Sequence, residues 1–382
     1  MRLVVFSHKK CWPSPASASG YATDGGFPFQ MRALSELFEA TTLVVPCSST
    51  AAPKGEVALT GQNISVVPLT EPLGQGLSRK LALPFWLVRN AAAFVREMRR
   101  ADAVHAPIPG DIGTVGLVFA FLLGKRLFIR HCGNWFVQRT AAERFWKWSM
   151  ERIAGGRNVA LATGGAMERP SKLNDSIRWI FSTSLTEKEL RSCSVDREGN
   201  FSTGIRLIIV CRQERGKGVD VVIQSLPLLL NRFPNCTLDV VGDGTALGEL
   251  KNICEALDLN GHVRFHGKLH HDSVMSLLRQ SDLFCYPSHS EGFPKVVLEA
   301  LACGLPVITT HVSVLPQLIG GGCGVLLDET TPAALAEAIE RCVADKQVYQ
   351  AMSANAKQTA GQYSLERWRD TIGDILRTAW AQ

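Results

Sequence analysis

The chain alternates short runs rich in β-branched residues with longer stretches of helical periodicity, and this alternation constrains its fold most strongly. In the first half it predicts strands at Leu3–Ser7, Thr41–Val45, Ile64–Val67, Ala103–His105, Arg126–His131 and Val159–Ala162. In the second half it predicts strands at Leu207–Cys211, Leu238–Val241, Val263–Phe265, Leu283–Tyr286, Val307–Thr309 and Gly324–Leu327. Strands that alternate with helices build parallel sheets covered by helices. The sequence therefore predicts an α/β fold with two doubly wound, Rossmann-like domains.

A length of 382 residues suits two domains better than one. Residues 192–204 interrupt every apolar period, so they are predicted to link a domain of residues 1–200 to a domain of residues 201–362. Parallel sheets bind ligands beyond the carboxyl ends of their strands. We therefore expect two sheets that face each other across a cleft, with the functional site in that cleft.

Composition excludes several classes of protein. With 46% hydrophobic and 20% charged residues the chain is globular rather than disordered. Its 11 cysteines include no Cys-x-x-Cys pair and no Cys/His spacing that suits zinc, so a reduced, cytoplasmic protein without a metal site is predicted. The apolar run at the N-terminus is too short for a signal sequence, and the longest apolar stretch, residues 115–124, covers about half a membrane span.

Charge is unevenly distributed. Residues 1–200 carry 25 Lys and Arg against 16 Asp and Glu, whereas the rest of the chain carries 16 against 19. A basic half suits an anionic lipid surface, a phosphorylated substrate or nucleic acid, or is merely a solvated surface.

Two stretches of the first half, residues 77–101 and 139–157, mix cations with aromatic residues, and the first of them includes a helix predicted at Pro84–Arg100. The aromatic residues are Phe85, Trp86, Phe94, Trp146 and Trp148. Such helices either lie on anionic membranes or pack their aromatic side chains inward; nucleic acid is the least favoured partner, because no binding motif for it is present.

The most informative segment runs from Ser288 to Ile308. It follows a predicted strand, places Pro294 in the first turn of a helix and ends that helix at Gly304. Glu291 is expected on the loop at the carboxyl end of the strand, and Glu299 about one and a half turns into the helix. The free N–H groups of the first turn suit a phosphate or a polyhydroxyl ligand. Taken singly, Glu291 is explained about as well by compensation of the helix dipole as by ligand binding. Glu299 is explained about as well by a solvated helix face.

Earlier in the chain, other strand ends carry charged residues or glycines. Arg212 and Lys217 follow the strand at Leu207–Cys211, where two cations suit a diphosphate. Gly242 and Gly267, with Lys268 after it, end two more strands. In the first half, Gly25-Gly26 precedes a predicted helix and His131 ends a strand. His105 is a weaker candidate on a neighbouring strand.

The spacing Glu291-x7-Glu299, with Gly292-Phe293-Pro294 between the glutamates, resembles the signature of family 4 retaining glycosyltransferases of the GT-B fold. The turns at Arg212–Lys217, Gly242, Gly267-Lys268, Gly25-Gly26 and His131 are similar to turns of that family. Two features depart from the family. Cys211 stands where Gly is usual, and Ile180–Leu185 replaces a Pro-Asn-Gly-Val-Asp turn.

The resemblance implies a nucleoside diphosphate sugar as donor, bound by the C-terminal domain, and transfer with retention. Arg212 and Lys217 would then stabilise the leaving diphosphate, Glu291 would orient the sugar and Glu299 would hold the ribose. His131 would contact the donor sugar or the departing phosphate, and Gly25-Gly26 would approach the diphosphate. No metal is expected, since no Asp-x-Asp pair occurs. The resemblance also implies that the final segment, residues 363–382, forms a helix that crosses back to the first domain.

The acceptor is not specified by any of these motifs. The basic first half favours a lipid-linked or otherwise anionic acceptor at the inner membrane face, and hence a role in cell-surface polysaccharide or glycoconjugate synthesis. Two alternatives stay open: a sugar-nucleotide epimerase of the same fold, which needs no acceptor, and a non-catalytic sugar-nucleotide binder. Detecting product only when an acceptor is present would separate transfer from epimerisation.

Overall fold

The structure, a computed structural model, describes residues 1–382 except 51–55, 73, 75, 139, 167, 194, 203 and 382. It divides into two compact units, Met1–Ser184 with Leu365–Gln382, and Leu185–Ser364. The predicted boundary at residue 200 therefore differs from the observed one, because residues 185–200 pack on the second unit. Leu185 and Cys193 lie in its hydrophobic core, and the Arg197 guanidinium donates to the carbonyls of Leu278 and Cys303. Residues 194 and 203 of the predicted linker lie outside the described residues.

The first unit is built on a parallel sheet. Its strands are β1 (Arg2–Phe6), β2 (Cys11–Pro13), β3 (Tyr21–Asp24), β4 (Ala40–Pro46), β5 (Glu56–Ala58), β6 (Ile64–Leu69), β7 (Ala103–Ile108), β8 (Arg126–His131), β9 (Asn158–Thr163) and β10 (Ile177–Ile180). Its helices are α1 (Phe27–Ser35), α2 (Gly76–Arg100), α3 (Asp111–Leu122), α4 (Ala141–Ile153) and, at the end of the chain, α13 (Leu365–Trp380). Within the described residues the sheet order is β10-β9-β8-β7-β1-β4-β6. Sequence patterns missed β10 and the small antiparallel sheet β2-β3-β5, since these strands are short and lack a β-branched run.

Helices cover both faces of this sheet, and a separate hydrophobic core lies between the sheet and the helices on each face. Alternate residues of β1 face opposite ways: Val4 and Phe6 join a core with α2, α3 and α4, while Leu3 and Val5 join a core with α1 and α13. The last helix thus packs within the first unit. Helix α2 begins at Gly76 rather than at Pro84, because Pro84 lies inside the helix, where it removes one backbone hydrogen bond without ending the helix.

The second unit holds a second parallel sheet. Its strands are β11 (Arg206–Val210), β12 (Thr237–Val241), β13 (Val263–Gly267), β14 (Leu283–Tyr286), β15 (Val307–Thr310) and β16 (Gly324–Leu327). Its helices are α5 (Glu187–Cys193), α6 (Val219–Leu230), α7 (Leu247–Ala256), α8 (His271–Gln280), α9 (Lys295–Ala302), α10 (Leu315–Ile319), α11 (Pro332–Val343) and α12 (Lys346–Ala360). The order in the described part is β13-β12-β11-β14-β15-β16, with parallel pairs throughout. No helix in the described ranges has both the length and the hydropathy that crossing a bilayer requires.

Candidate functional site

The site of the second unit lies where neighbouring strands β11 and β14 end. The loop from β11 to α6 and the loop from β14 to α9 are joined by a hydrogen bond from the His289 N–H to the Gly216 carbonyl, 2.9 Å. Gly218 makes this approach possible: its φ is +74° and a Cβ there would lie 2.3 Å from the Pro287 carbonyl oxygen. The two loops are therefore held together by backbone geometry before any side chain contributes.

Glu291 forms the centre of this site. Its Oε1 accepts hydrogen bonds from Lys217 Nζ at 2.6 Å, Ser288 Oγ at 2.7 Å and Tyr286 OH at 2.8 Å. Burial and the Glu291 charge raise the pKa of Tyr286 well above its usual value, so the phenol stays a donor. Among the described residues no donor reaches Oε2. The carboxylate is thus fixed through one oxygen and leaves the other for a ligand.

Tyr286 and Ser288 were not predicted from the sequence. The available signal was their position: both are polar and lie within five residues upstream of Glu291, at the end of a buried strand. Strand β15 supports the same loop, because Thr309 Oγ1 donates to the Tyr286 carbonyl and Thr310 Oγ1 to the Ser288 carbonyl, at 2.7 and 2.6 Å.

The loop leads into the N-terminus of α9. Ser313 Oγ donates to the Gly292 carbonyl at 2.7 Å, and the Phe293 ring lies 6.2 Å from that of Tyr363. Pro294, predicted in the first turn, is the residue before the helix; it provides no side-chain cap, and the first turn holds no acidic residue. A helix N-terminus without a side-chain cap, together with the positive end of the helix dipole, favours an anion at this position.

Glu299 lies on the same helix and is only 8% exposed, so it is not a solvated residue. Its Oε1 lies 3.3 Å from His271 Nε2. Burial alone would lower the pKa of His271, but the hydrogen bond and charge of Glu299 outweigh burial and raise it. His271, which the sequence did not single out, lies on the neighbouring helix α8 and is the ring that contacts the Glu299 carboxylate.

The remaining predicted residues of this unit differ in what they contact. Arg212 is 75% exposed and pairs with Glu214 at 3.1 Å rather than with Glu291. Gly242 has φ +123°, and a Cβ there would lie 1.8 Å from the Cys211 carbonyl oxygen, so it allows two backbones to meet. Gly267 also has positive φ but lies in open space. Lys268 is exposed.

In the first unit, Gly25 has φ +70° and Gly26 precedes α1 without a side-chain cap. Lys9 and Asp24 form an ion pair beside this loop. His131 is fully buried and its ring lies edge-on to Trp135 at 5.2 Å; among the described residues no hydrogen bond of normal geometry reaches either ring nitrogen, and the nearby Gly133 backbone offsets only part of the effect of burial on its pKa. His105 stacks on Phe128 inside the core and burial lowers its pKa to about 3.

Burial of His131 makes the first unit sensitive to acid. Burial lowers the pKa of His131 to about 4, so below its unfolded pKa of about 6.5 the unfolded state binds the proton more readily. We expect His131 to contribute up to about 3 kcal/mol to the fall in unfolding free energy as the pH drops from 6.5 towards 4, in addition to the loss caused by buried His105, which the variants keep. Denaturant unfolding at both pH values should show a smaller loss in His131→Gln and in His131→Leu. An equal loss in wild type and both variants would contradict this assignment.

Two parallel sheets with helices, and loops at their carboxyl ends, define a GT-B fold. The structure superposes on sucrose-phosphate synthase from Thermosynechococcus elongatus with a TM-score of 0.75, 17% identity and coverage of 100% of this chain and 99% of that one. It superposes on Anabaena HepE, crystallised with UDP and glucose, with a TM-score of 0.72, 17% identity and 99% coverage of both chains. The predicted fold class is confirmed.

Sequence comparison agrees with the resemblance that the motifs carry. Residues 195–359, within the second unit, match the family described as glycosyl transferases group 1. It is 33% identical over 165 residues to the D-inositol 3-phosphate glycosyltransferase of Corynebacterium jeikeium, covering 41% of this chain and 39% of that protein. The matches span about two fifths of the length of the first curated relatives.

Proposed function

We propose that the protein transfers a sugar, with retention of configuration, from a nucleoside diphosphate sugar to an acceptor. The observation that carries this proposal is the Lys217–Glu291 ion pair, 2.6 Å long, on loops that lead to the uncapped N-terminus of α9. A diphosphate at this position would meet one buried ammonium, the α9 N–H groups and, after Arg212 turns from Glu214, a guanidinium. HepE was crystallised with UDP and glucose, so uridine diphosphate sugars are the first donors to test.

Each carboxylate would have a distinct role in this reaction. Glu291, held through Oε1, would accept a sugar hydroxyl at Oε2, and Glu299 would accept ribose hydroxyls. The bond between the anomeric carbon and the phosphate oxygen breaks as the acceptor oxygen attacks from the same face, and the acceptor proton passes to the departing phosphate. Charge that develops on this phosphate is stabilised by Lys217, Arg212 and the α9 amides.

We further propose that catalysis is independent of metal. Lys217, Arg212 and the helix end provide the positive charge that a cation supplies in other enzymes acting on diphosphates. Within the described residues, no three His, Cys, Asp or Glu side chains converge to form a metal site.

An anionic acceptor is favoured by Arg130, at the end of β8 in the first unit. Its side chain is 6% exposed, and Nε and Nη1 have no hydrogen-bond partner among the described residues. The guanidinium lies over the Trp368 ring, 5.4 Å from its centre, which is a weak electrostatic attraction. A buried cation without a counter-charge is costly, and an acceptor phosphate or carboxylate would remove that cost. We therefore place a lipid-linked or other anionic acceptor here, in glycoconjugate or polysaccharide synthesis at the cytoplasmic membrane face.

Replacing Arg130 with Met tests this acceptor site. If Arg130 binds the acceptor, the acceptor KM should rise by about tenfold or more, since a charge-assisted contact is lost, while UDP affinity stays unchanged and stability is equal or higher, because a buried unpaired cation is removed. A loss of stability with an unchanged acceptor KM would show that Arg130 is only structural.

The reaction itself is tested by incubating the purified protein with UDP-sugars and measuring the products. The incubations are made with and without acceptor lipid extracts, and with and without EDTA. Transfer requires product that depends on acceptor, retains the anomeric configuration and forms equally in EDTA. Interconversion of the sugar nucleotide without acceptor would instead support an epimerase. Complete, metal-reversible loss of transfer in EDTA would contradict the metal-free mechanism.

A further inference from the structure

The solvent-facing side of α2 carries large apolar side chains, whereas the solvent-facing side of a helix in a soluble protein is normally polar. Leu81, Phe85 and Val88 are 75%, 71% and 74% exposed, and Val95 continues the same line two turns later. The spacings of four, three and seven residues place these four side chains on one helix face. The opposite face holds Trp86, Phe94 and Met98 in the core. This outward line of four residues is the α2 stripe.

The neighbouring helices extend this apolar surface. Phe119 at the end of α3 and Leu123 after it line, with Val95, a groove of about 290 Å³, and Leu122 beside them is also exposed. Helix α4 presents Phe145 and Trp148, each about half exposed. Because α2, α3 and α4 cover the same face of the sheet, their outward residues form one helix-layer face. Soluble monomers rarely expose so many large apolar side chains together.

Positive charge surrounds the apolar residues. Residues 76–157 carry 14 Lys and Arg but five Asp and Glu, so this segment accounts for the basic character of the first half. Arg89 and Arg99 of α2 make no ion pair with any described residue, and the Arg152 guanidinium lies over the Trp148 ring at 4.2 Å. Arg144 occupies the same exposed side of α4.

The five carboxylates of this segment are already engaged within the chain. Glu97 accepts a hydrogen bond from Arg96, and Asp111 accepts one from Arg79. Asp102 accepts from the Arg2 N–H, Glu143 from the Thr140 N–H and Glu151 from Ser171 Oγ. A second copy placed face to face would therefore bring cation against cation, which opposes a symmetric dimer. An anionic lipid surface matches both features, since headgroups pair with the arginines and acyl chains accept the apolar side chains.

We propose that the helix-layer face docks the protein on an anionic bilayer, with α2 lying in the interface. The inference does not depend on catalysis: it concerns a surface of the first unit, whereas the donor site lies in the second. It does support the lipid-linked acceptor of the proposed function, because docking would bring the protein to such acceptors.

Vesicle flotation with phosphatidylcholine, alone or mixed with phosphatidylglycerol, tests the proposal. Wild type should float with the anionic vesicles at low salt, ignore neutral ones and be largely released at high salt. Replacing Leu81, Phe85 and Val88 together with Ser should lower binding by about tenfold or more. The matched control replaces Leu173, Leu228 and Val348, exposed residues elsewhere, and should bind as wild type does.

Charge is tested in the same way. Replacing Arg89, Arg99 and Arg152 with Ser should shift release to lower salt, whereas replacing Arg191, Arg341 and Arg377 should not. Arg96 and Arg100 are left intact because they neutralise the buried Glu97. The proposal is overturned if wild type ignores anionic vesicles, if control variants lose as much binding, or if sedimentation shows a dimer that only the α2 stripe variant dissociates. UDP binding, measured by calorimetry on each variant, reports separately on the donor site.

Discussion

Replacing Lys217 with Met is expected to lower turnover by about 10²- to 10³-fold, because a preorganised charge aimed at a leaving group contributes a few kcal/mol to the transition state. The change also leaves Glu291, whose side chain is only 10% exposed, with only the two hydroxyl donors Tyr286 and Ser288. We expect a loss of about 2 kcal/mol in unfolding free energy, less than for a fully buried pair, since Lys217 remains 17% exposed. Steady-state kinetics and denaturant unfolding measure the two effects.

Two further variants separate chemistry from stability. Lys217→Met combined with Glu291→Gln removes the unpaired charge, so it should recover stability without recovering turnover. Arg212→Met should reduce turnover with unchanged stability, because Arg212 is exposed and pairs only with Glu214. Wild-type turnover in a folded Lys217→Met protein would mean that the diphosphate binds elsewhere.

Gly242→Ala is expected to destabilise the second unit by about 3 kcal/mol or more, because both backbone strain and overlap must be relieved. The new Cβ would lie 1.8 Å from the Cys211 carbonyl oxygen at a residue with φ +123°, and neither atom belongs to a flexible side chain. Gln213 ties the same two segments together by donating to the carbonyls of Cys211 and Val241, both at 3.1 Å. Relief of the overlap would therefore move β12 or the loop from β11 to α6.

Gly267→Ala provides the matched control. Its φ is also positive, at +65°, but its Cβ would meet nothing within 4 Å. Left-handed strain alone should cost about 1 kcal/mol. Thermal and denaturant unfolding of the two variants should therefore differ by about 2 kcal/mol or more. Equal losses would show that φ, rather than the approach of Cys211, makes Gly242 necessary.

Features with a local physical cause could be predicted from the sequence. Strands such as β8, β14 and β16 agree with their predicted bounds, because a short apolar run bounded by polar or turn-forming residues is visible within the strand itself. The Glu291-x7-Glu299 segment likewise depends on one strand, one loop and one helix that are adjacent in the chain. The fold class and the resemblance to a glycosyltransferase family followed from these local patterns.

Other features arose from contacts between distant residues. Lys217 and Glu291 meet because β11 and β14 are neighbours in the sheet, and no local pattern states which strands pair. The same holds for His271 beside Glu299, and for residues 185–200, which join the second unit through Arg197 and carbonyls some 80 to 106 residues away. Helical periodicity identified α2 but not which aromatic side chains face outward: Trp86 is buried whereas Phe85 is exposed. The sequence alone thus determined the elements and the chemistry available, whereas strand order and helix orientation decided which groups meet and which surface stays open, because those depend on packing between segments far apart in the chain.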